Sequence, residues 1–503
     1  MLNLEAHRRL IPRWRSSVVT ICTGELDGLV RIQHQQPPSI YLQEKLVHWE
    51  SEHSIESAAE LVAGVLVENQ PNLGIDAAKF LLSARDATQI VKGLAQKMLA
   101  GADNGSLPCS ENAILRLGQE DQHGVIRVIR RRLIDFPQNA LLWVDLARAY
   151  TILGHSKQAS RAMDVALALQ PGNRFVLRSA ARMYLHGDQA ERAHFLLQRS
   201  ESTRSDPWLI SAEISAAMII GRTSRLIKPA RNLLMGFKGE PLQIAELAGS
   251  LATVDLCEGA FGSARKLFKR SLVQPTENSV AQAEWASKID KDVSVSSELL
   301  KVPLSFEARA LHDFRMQRWS GVIKHSAQWL KDEPFSTRPA HLASYVAAEA
   351  LDDFKLCEKW AREGLKSNPD DWLLSNNLVY ALTCQGQYDD ANRVLGNIVR
   401  HGSDHTSDSV LLATEGLLRF REGNAILGRA LYTKAIESSR KGKLTVVSAI
   451  AAIRLAREEV LARSAEMSRA VALAQEECRH AKDSEANRLL ASVIELYKRT
   501  KKH

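Results

Sequence analysis

Arg178, Arg182 and His186 recur at intervals of four, so on one helix they share a side. With Arg148 one helix pair earlier, they would bring three guanidinium groups together. Planar guanidinium forks hold carboxylates and phosphates through paired hydrogen bonds, so the chemistry on offer is anion capture. The competing reading pairs these side chains with Asp145, Asp164 or Glu191 of the same chain. A second basic group, Arg127, Arg130, Arg131 and Arg132, lies on a helix whose apolar side carries Val125, Ile126, Ile129 and Leu133. Such faces are usually solvated. A nucleic-acid contact is the sharper reading, but the interleaved aromatic residues that stack on single strands are missing.

Catalytic and metal-binding patterns are not found. No phosphate-binding loop, no GxSxG elbow and no dinucleotide fingerprint occurs. His48 and His53 are five apart, the wrong spacing for a zinc-protease helix, and His401 and His405 surround Gly-Ser-Asp in a loop, where a metal site would need further ligands that the sequence does not place. The expectation is therefore no enzyme, no cofactor and no metal.

The elements that must position these residues are announced by Pro137, Pro171, Pro207, Pro241 and Pro275, whose near-constant spacing marks a repeat of helix pairs. Each proline is expected to end a pair, since it lacks an N–H and clashes with a continuing helix. Between Pro137 and Pro171, Trp143, Leu146, Ala147 and Tyr150 form the stripe of a first helix. Gly154 breaks it, and Ala159, Met163 and Ala166 run along a second. The order large–small–aromatic–glycine–alanine–proline resembles the tetratricopeptide repeat (TPR). Leu177, Ala181, Tyr184, Ala193 and Leu197 repeat it; Leu378, Ala381, Gly386, Tyr388 and Ala391 do so again, as do Gly416, Gly423, Gly428, Tyr432 and Ala435.

The resemblance implies an all-α, TPR-like helical-repeat solenoid, a right-handed superhelix of helix pairs with an N-terminal helical module. It further implies that first helices line a concave groove, which puts Val144, Arg148, Arg178, Arg182 and His186 on that face. Asn376, Tyr380 and Phe420 would line it later, with Leu373 and Leu417 alongside. One TPR subtype clamps a chaperone's terminal carboxylate with basic residues and asparagines. Here Val410, Ala413 and Thr414 stand where basic partners would be wanted, so that reading fails. The late groove suits an amphipathic helix or an extended apolar peptide, and Leu417 is better read as packing between repeats.

The expected organisation is a module or cap over 1–105, a first array over 106–289, a possible linker or distorted repeat over 290–304, a second array over 305–480, and a capping helix with a basic tail over 481–503. Of the two readings of 290–304, the linker is preferred. Within the module, Arg13-Trp14-Arg15 belongs to an extended or irregular lead-in, with helices from Tyr41 onward. The six cysteines show no CxxC spacing, which fits a reducing compartment. The N-terminal apolar run is a poor signal peptide, and a transit peptide built on Arg8, Arg9, Arg13 and Arg15 ranks below a cytoplasmic location. No apolar stretch is long enough to suggest a membrane span. A net charge of +8 is moderate for 503 residues and speaks to partners rather than fold.

These features point to a non-enzymatic protein–protein scaffold or adaptor that takes a protein or peptide, including an acidic segment, in its groove. The alternatives are a regulatory factor associated with nucleic acid, or a regulatory partner of an effector enzyme such as a nuclease or toxin in a bacterial operon. Homo-oligomer formation is left open, and no membrane partner is expected.

Overall fold

The computed structural model describes residues 8–17, 40–67, 70–104, 122–398 and 405–502. Its regular structure is helical, and no strand occurs among the described residues. The chain forms two compact units: Val18–Gly118, and a larger one made of Met1–Ser17 with Gln119–His503. The module expected over 1–105 thus has different limits at both ends, and residues 8–17 belong with the solenoid because their side chains are engaged there.

The smaller unit holds α1 (Ile40–Glu52), α2 (Ile55–Val67), α3 (Ile75–Ser83) and α4 (Gln89–Asn104). Leu42, Trp49, Leu61, Val62, Val65, Leu81 and Met98 form its core. His48 pairs with Glu52 at 2.8 Å and His53 lies on the Trp49 ring. His401 lies outside the described residues.

The larger unit begins with α5 (Gln122–Asp135). Antiparallel pairs follow: α6 (Ala140–Ile152) with α7 (Ser156–Leu169), α8 (Arg174–His186) with α9 (Ala190–Arg199), α10 (Pro207–Ile219) with α11 (Ile227–Gly236), and α12 (Pro241–Cys257) with α13 (Phe261–Ser271). Next come α14 (Glu277–Ala286), α15 (Phe306–Arg315) with α16 (Trp319–Asp332), and α17 (Arg338–Glu349) with α18 (Phe354–Ser367). The stack ends with α19 (Trp372–Cys384) and α20 (Tyr388–Gly396), α21 (His405–Arg421) and α22 (Ala425–Lys441), α23 (Thr445–Leu461) and α24 (Met467–Ala481), and α25 (Ser484–Lys502).

The prolines act in two ways. Pro137, Pro171 and Pro275 follow a second helix, whereas Pro207 and Pro241 open the next first helix, where a missing N–H costs nothing. Two residues beyond Pro137, Pro171 and Pro369, the side chains of Asn139, Asn173 and Asp371 accept from backbone N–H groups of the following helix. Gly154 and Gly386 turn the chain inside their pairs at φ of 71° and 77°, where a β-carbon would be strained.

The segment 290–304 contains no α-helix, yet Val293 and Val295 are buried beside Trp285 and Ala308. It supplies the apolar contacts that a second helix would have given α14. A free linker would leave those side chains in water, so the preferred linker reading is replaced by a distorted repeat. After the α17–α18 pair the stack meets its own beginning. The Ser367 hydroxyl donates to the carbonyl of Ile152 at 2.6 Å, and Phe335 shares a core with Leu146, Ala147 and Ala180.

Helices α21 and α22 approach through Gly416 and Gly428. A β-carbon on Gly428 would lie 2.8 Å from the Gly416 carbonyl oxygen and 3.0 Å from the Phe420 nitrogen, neither of which can swing aside. Gly428→Ala should therefore lose about 1–3 kcal/mol through overpacking. A thermal melt followed by circular dichroism would show the drop, and an unchanged midpoint would contradict this packing.

Candidate functional site: a groove holding an extended segment

Residues 8–17 run along the face made by the first helices, extended apart from one tight turn in which the Ile11 N–H donates to the Arg9 carbonyl at 2.8 Å, and their burial alternates. Arg8, Leu10, Pro12 and Trp14 are buried, whereas Arg9, Ile11, Arg13 and Arg15 are half-buried. Period two is what an extended backbone produces when one side lies against a surface.

Three carbonyls and one N–H of this segment are held by groove side chains. Gln282 donates to the Arg8 carbonyl at 3.0 Å, Asn278 to that of Ile11 at 2.9 Å, and Arg148 to that of Trp14 at 3.1 Å. The Ser17 N–H donates to Asp145 at 2.8 Å. The contacts come from α6 and α14.

The side chains are gripped by carboxylates. Arg8 makes a fork to Glu307 at 2.8 and 3.0 Å and reaches Asn278 at 2.8 Å. Arg13 bridges Glu307 and Glu333. Arg15 holds Asp332 through two bonds of 2.8 Å and Glu277 at 3.0 Å. Burial alone would raise both buried carboxyls. At Glu333, Arg13 and then Arg182 outweigh it and hold the group at about 2. Glu307, facing Arg338, Arg8 and Arg13, is held well below the usual carboxylate range. Trp14 is fully buried, its ring 5.4 Å from that of Phe335. Leu10 fits over Gly249, in the middle of α12, where an added β-carbon would stand 2.7 Å from Leu10 Cδ1.

The structure places Arg148, Arg178, Arg182 and His186 near one another, but in roles other than those expected. Arg148 is spent on the carbonyls of Trp14 and Asp332. Arg178 binds Glu246 at 2.9 Å and lies over Trp208, while Arg182 faces Glu333 and lies over Phe335. Arg178 and Arg182 are met by the chain's own carboxylates and Arg148 by backbone carbonyls, so they do not wait for an acidic ligand. The His186 ring stands edge-on to Phe335, and burial followed by the charge of Arg182 pushes it down to about 4, so it is uncharged at neutral pH. Val144, also assigned to the groove, is fully buried in the core with nothing to present. The occupant is basic where the sequence pointed to an acidic one.

Further along, α17, α19, α21 and α23 line a cleft of about 640 Å³ including its open mouth. Its apolar wall includes Leu373, Val410, Ala413 and Ile450; Asn376 and Asn377 stand beside it. Asn377 donates to Ser344 at 2.9 Å, and Asn376 is buried with no partner for its Oδ1 among the described residues. Arg454 pairs with Glu349 and His341 with Asp371, so the charges at the rim are balanced. Tyr380 is buried beneath Arg454, whose guanidinium lies 4.3 Å above its ring. Phe420, expected in this groove, is buried against Gly428 instead. Arg127, Arg130, Arg131 and Arg132 are exposed on α5.

The missed residues are mostly acidic: Glu277, Glu307, Asp332 and Glu333; Asp145, expected as a partner for the arginines, instead accepts from the Ser17 N–H. A usable signal existed in the period-two order Arg8, Leu10, Pro12, Trp14, and in a glycine at 249 inside an otherwise strong helix.

No family model matches this chain, and no curated protein matches it in sequence. Among solved structures it is similar to yeast Tom70, over 89% of this chain and 95% of that one, at 15% identity and a TM-score of 0.33. It is also similar to human IFIT1, solved as a dimer with PPP-AAAA, over 93% and 96%, at 12% identity and a TM-score of 0.34. A monomeric IFIT1 mutant with Gppp-AAAA aligns over 91% and 94%, at 13% identity and a TM-score of 0.34. Likenesses this distant carry no functional information for this chain. The fold is an all-α helical-repeat solenoid of TPR-like helix pairs. Among the described residues, no helix is long and apolar enough to cross a membrane.

Proposed function

We propose that this chain is a non-enzymatic scaffold that binds protein segments along the first-helix face of its solenoid. The observation that supports this reading is the seating of residues 8–17, whose backbone carbonyls are gripped by Gln282, Asn278 and Arg148. Side chains that hold a backbone in this way can serve any extended segment of suitable shape. The cleft around Leu373 and Asn376 continues the same face with a neutral, apolar lining, suited to an apolar partner segment.

Site-specific photo-crosslinking tests the proposal. A benzoylphenylalanine at Leu373 should capture a discrete protein in the producing cells, while the same probe at the exposed Phe195 should not. That complex should form equally at low and high salt, since an apolar contact releases few counterions. Captured nucleic acid, lost as salt rises, would overturn the scaffold reading in favour of the α5 arginines.

A further inference from the structure

We infer that the groove occupied by residues 8–17 is a binding site for an extended, arginine- and tryptophan-bearing segment of another protein. Residues 8–17 are its built-in competitor. This deepens the scaffold reading and rests on it.

Four observations carry the inference. The first is charge. The segment brings Arg8, Arg13 and Arg15 to Glu277, Glu307, Asp332 and Glu333, and the Ser17 N–H to Asp145. With the segment gone, these carboxylates would retain Arg148, Arg182 and Arg338 as nearby cations, a net negative site. A basic ligand is what such a site selects.

The second is shape. Gly249 leaves room for one apolar side chain at Leu10, and Phe335 forms the wall of a second pocket that takes the Trp14 indole. The Arg8 and Arg13 anchors fall two residues before the first apolar position and one before the second. The recognised pattern is therefore Arg-x-apolar-x-x-Arg-Trp-Arg, read on an extended backbone.

The third is the way the backbone is held. Amide and guanidinium side chains bind the carbonyls of Arg8, Ile11 and Trp14, three residues apart each time. That hold is indifferent to which side chains the segment bears and would serve a foreign segment equally.

The fourth is imperfect satisfaction. Arg9 Nε, Arg13 Nε and Trp14 Nε1 are buried with no acceptor among the described residues. Each buried donor left without a bond weakens the resident segment, so a competitor whose own donors are all met would hold the same groove more tightly.

The test uses the full chain and a labelled synthetic peptide of residues 8–17 as probe, read by fluorescence anisotropy. In the intact chain the tethered segment should keep the groove filled and binding weak. Arg8→Glu with Arg13→Glu in the full chain should loosen the segment without touching the groove. That variant should bind one peptide, at least about tenfold tighter than the intact chain, because apparent affinity scales with the fraction of open sites. The same peptide carrying both glutamates should not bind. Gly249→Ala in the full chain is the second variant: it displaces Leu10 and leaves every charge in place, and it should also raise binding of a peptide with alanine at the Leu10 position.

If both variants keep a cooperative melt and neither binds the peptide, the inference is wrong. It is equally wrong if both lose their helical signal, because an indispensable segment cannot be a displaceable one. An intact chain that sediments as a dimer, and becomes a monomer when Arg8 and Arg13 are changed, would assign the groove to a second copy and overturn the foreign partner. The photo-crosslink at Leu373 reports on the other stretch of the face, so its failure and the failure of this test are distinguishable.

Discussion

Trp14→Ala should release residues 8–17 from the groove while the helices stay folded. The indole is fully buried and stacks at an angle on Phe335, beside the point where Arg148 holds the Trp14 backbone carbonyl. Truncating a buried tryptophan typically costs about 3–5 kcal/mol. A segment outside the helical stack can avoid that cost by leaving, so the melt should change little and local opening should change greatly. Cleavage by trypsin after Arg13 and Arg15 should speed up by roughly 100-fold or more, since cleavage follows the population of the open form when reclosing is fast. Unchanged cleavage would mean that the indole is not what holds the segment down.

Glu307→Gln should have a comparable effect by a different route. Its carboxylate faces Arg8, Arg13 and Arg338 from a fully buried position, so an amide there leaves buried guanidinium groups underpaired. Removing one partner of a buried ion pair commonly costs about 3–5 kcal/mol. Because Arg338 belongs to α17 and cannot leave with the segment, this variant should lower the melting temperature as well as free residues 8–17.

The same groups set the response to acid. Glu307 and Glu333 are depressed in the fold, Glu333 to about 2, so their contribution is complete above the ordinary carboxylate range and is lost as pH falls towards 2. His186 is depressed to about 4; the folded state disfavours its proton, and stability starts to fall once pH drops below the ordinary histidine value. His194 and His312, lowered by burial, add to that loss, whereas Glu284, raised to about 7 by burial, works against it. In an acid titration, His186→Gln should therefore lessen the loss that begins below the ordinary histidine value and leave the one at lower pH unchanged. A single loss that is insensitive to this substitution would contradict the assignment.

Much of the solenoid could be read because its information is local. Trp143, Leu146, Ala147 and Tyr150 declare a helix within ten residues, and a turn at Gly154 follows directly. The groove could not be read this way. Glu307 and Glu333 meet Arg8 and Arg13 only after the stack has come round, and no spacing relates them in sequence. The basic residues therefore looked like an excess in search of an acidic ligand. Family groove positions supplied Arg148, Arg178 and Arg182 but not the carboxylates opposite them. Phe420 differs for another reason: α21 is buried on more than one side, and Phe420 lies on the side that packs against Gly428 of α22 rather than on the side lining the cleft.

The contact between Ser367 and the Ile152 carbonyl has a consequence in time. During synthesis residues 8–17 emerge roughly 290 residues before Glu307, which at ribosomal speeds of about 5–20 residues per second is some 15–60 s. Throughout that interval the four arginines and Trp14 have no groove, and they are at their most available to chaperones or other nascent chains. Residue 367 arrives later still. The segment must settle before that contact forms or slip in afterwards past a finished turn, so the order of events on the ribosome decides how readily the groove is filled from within.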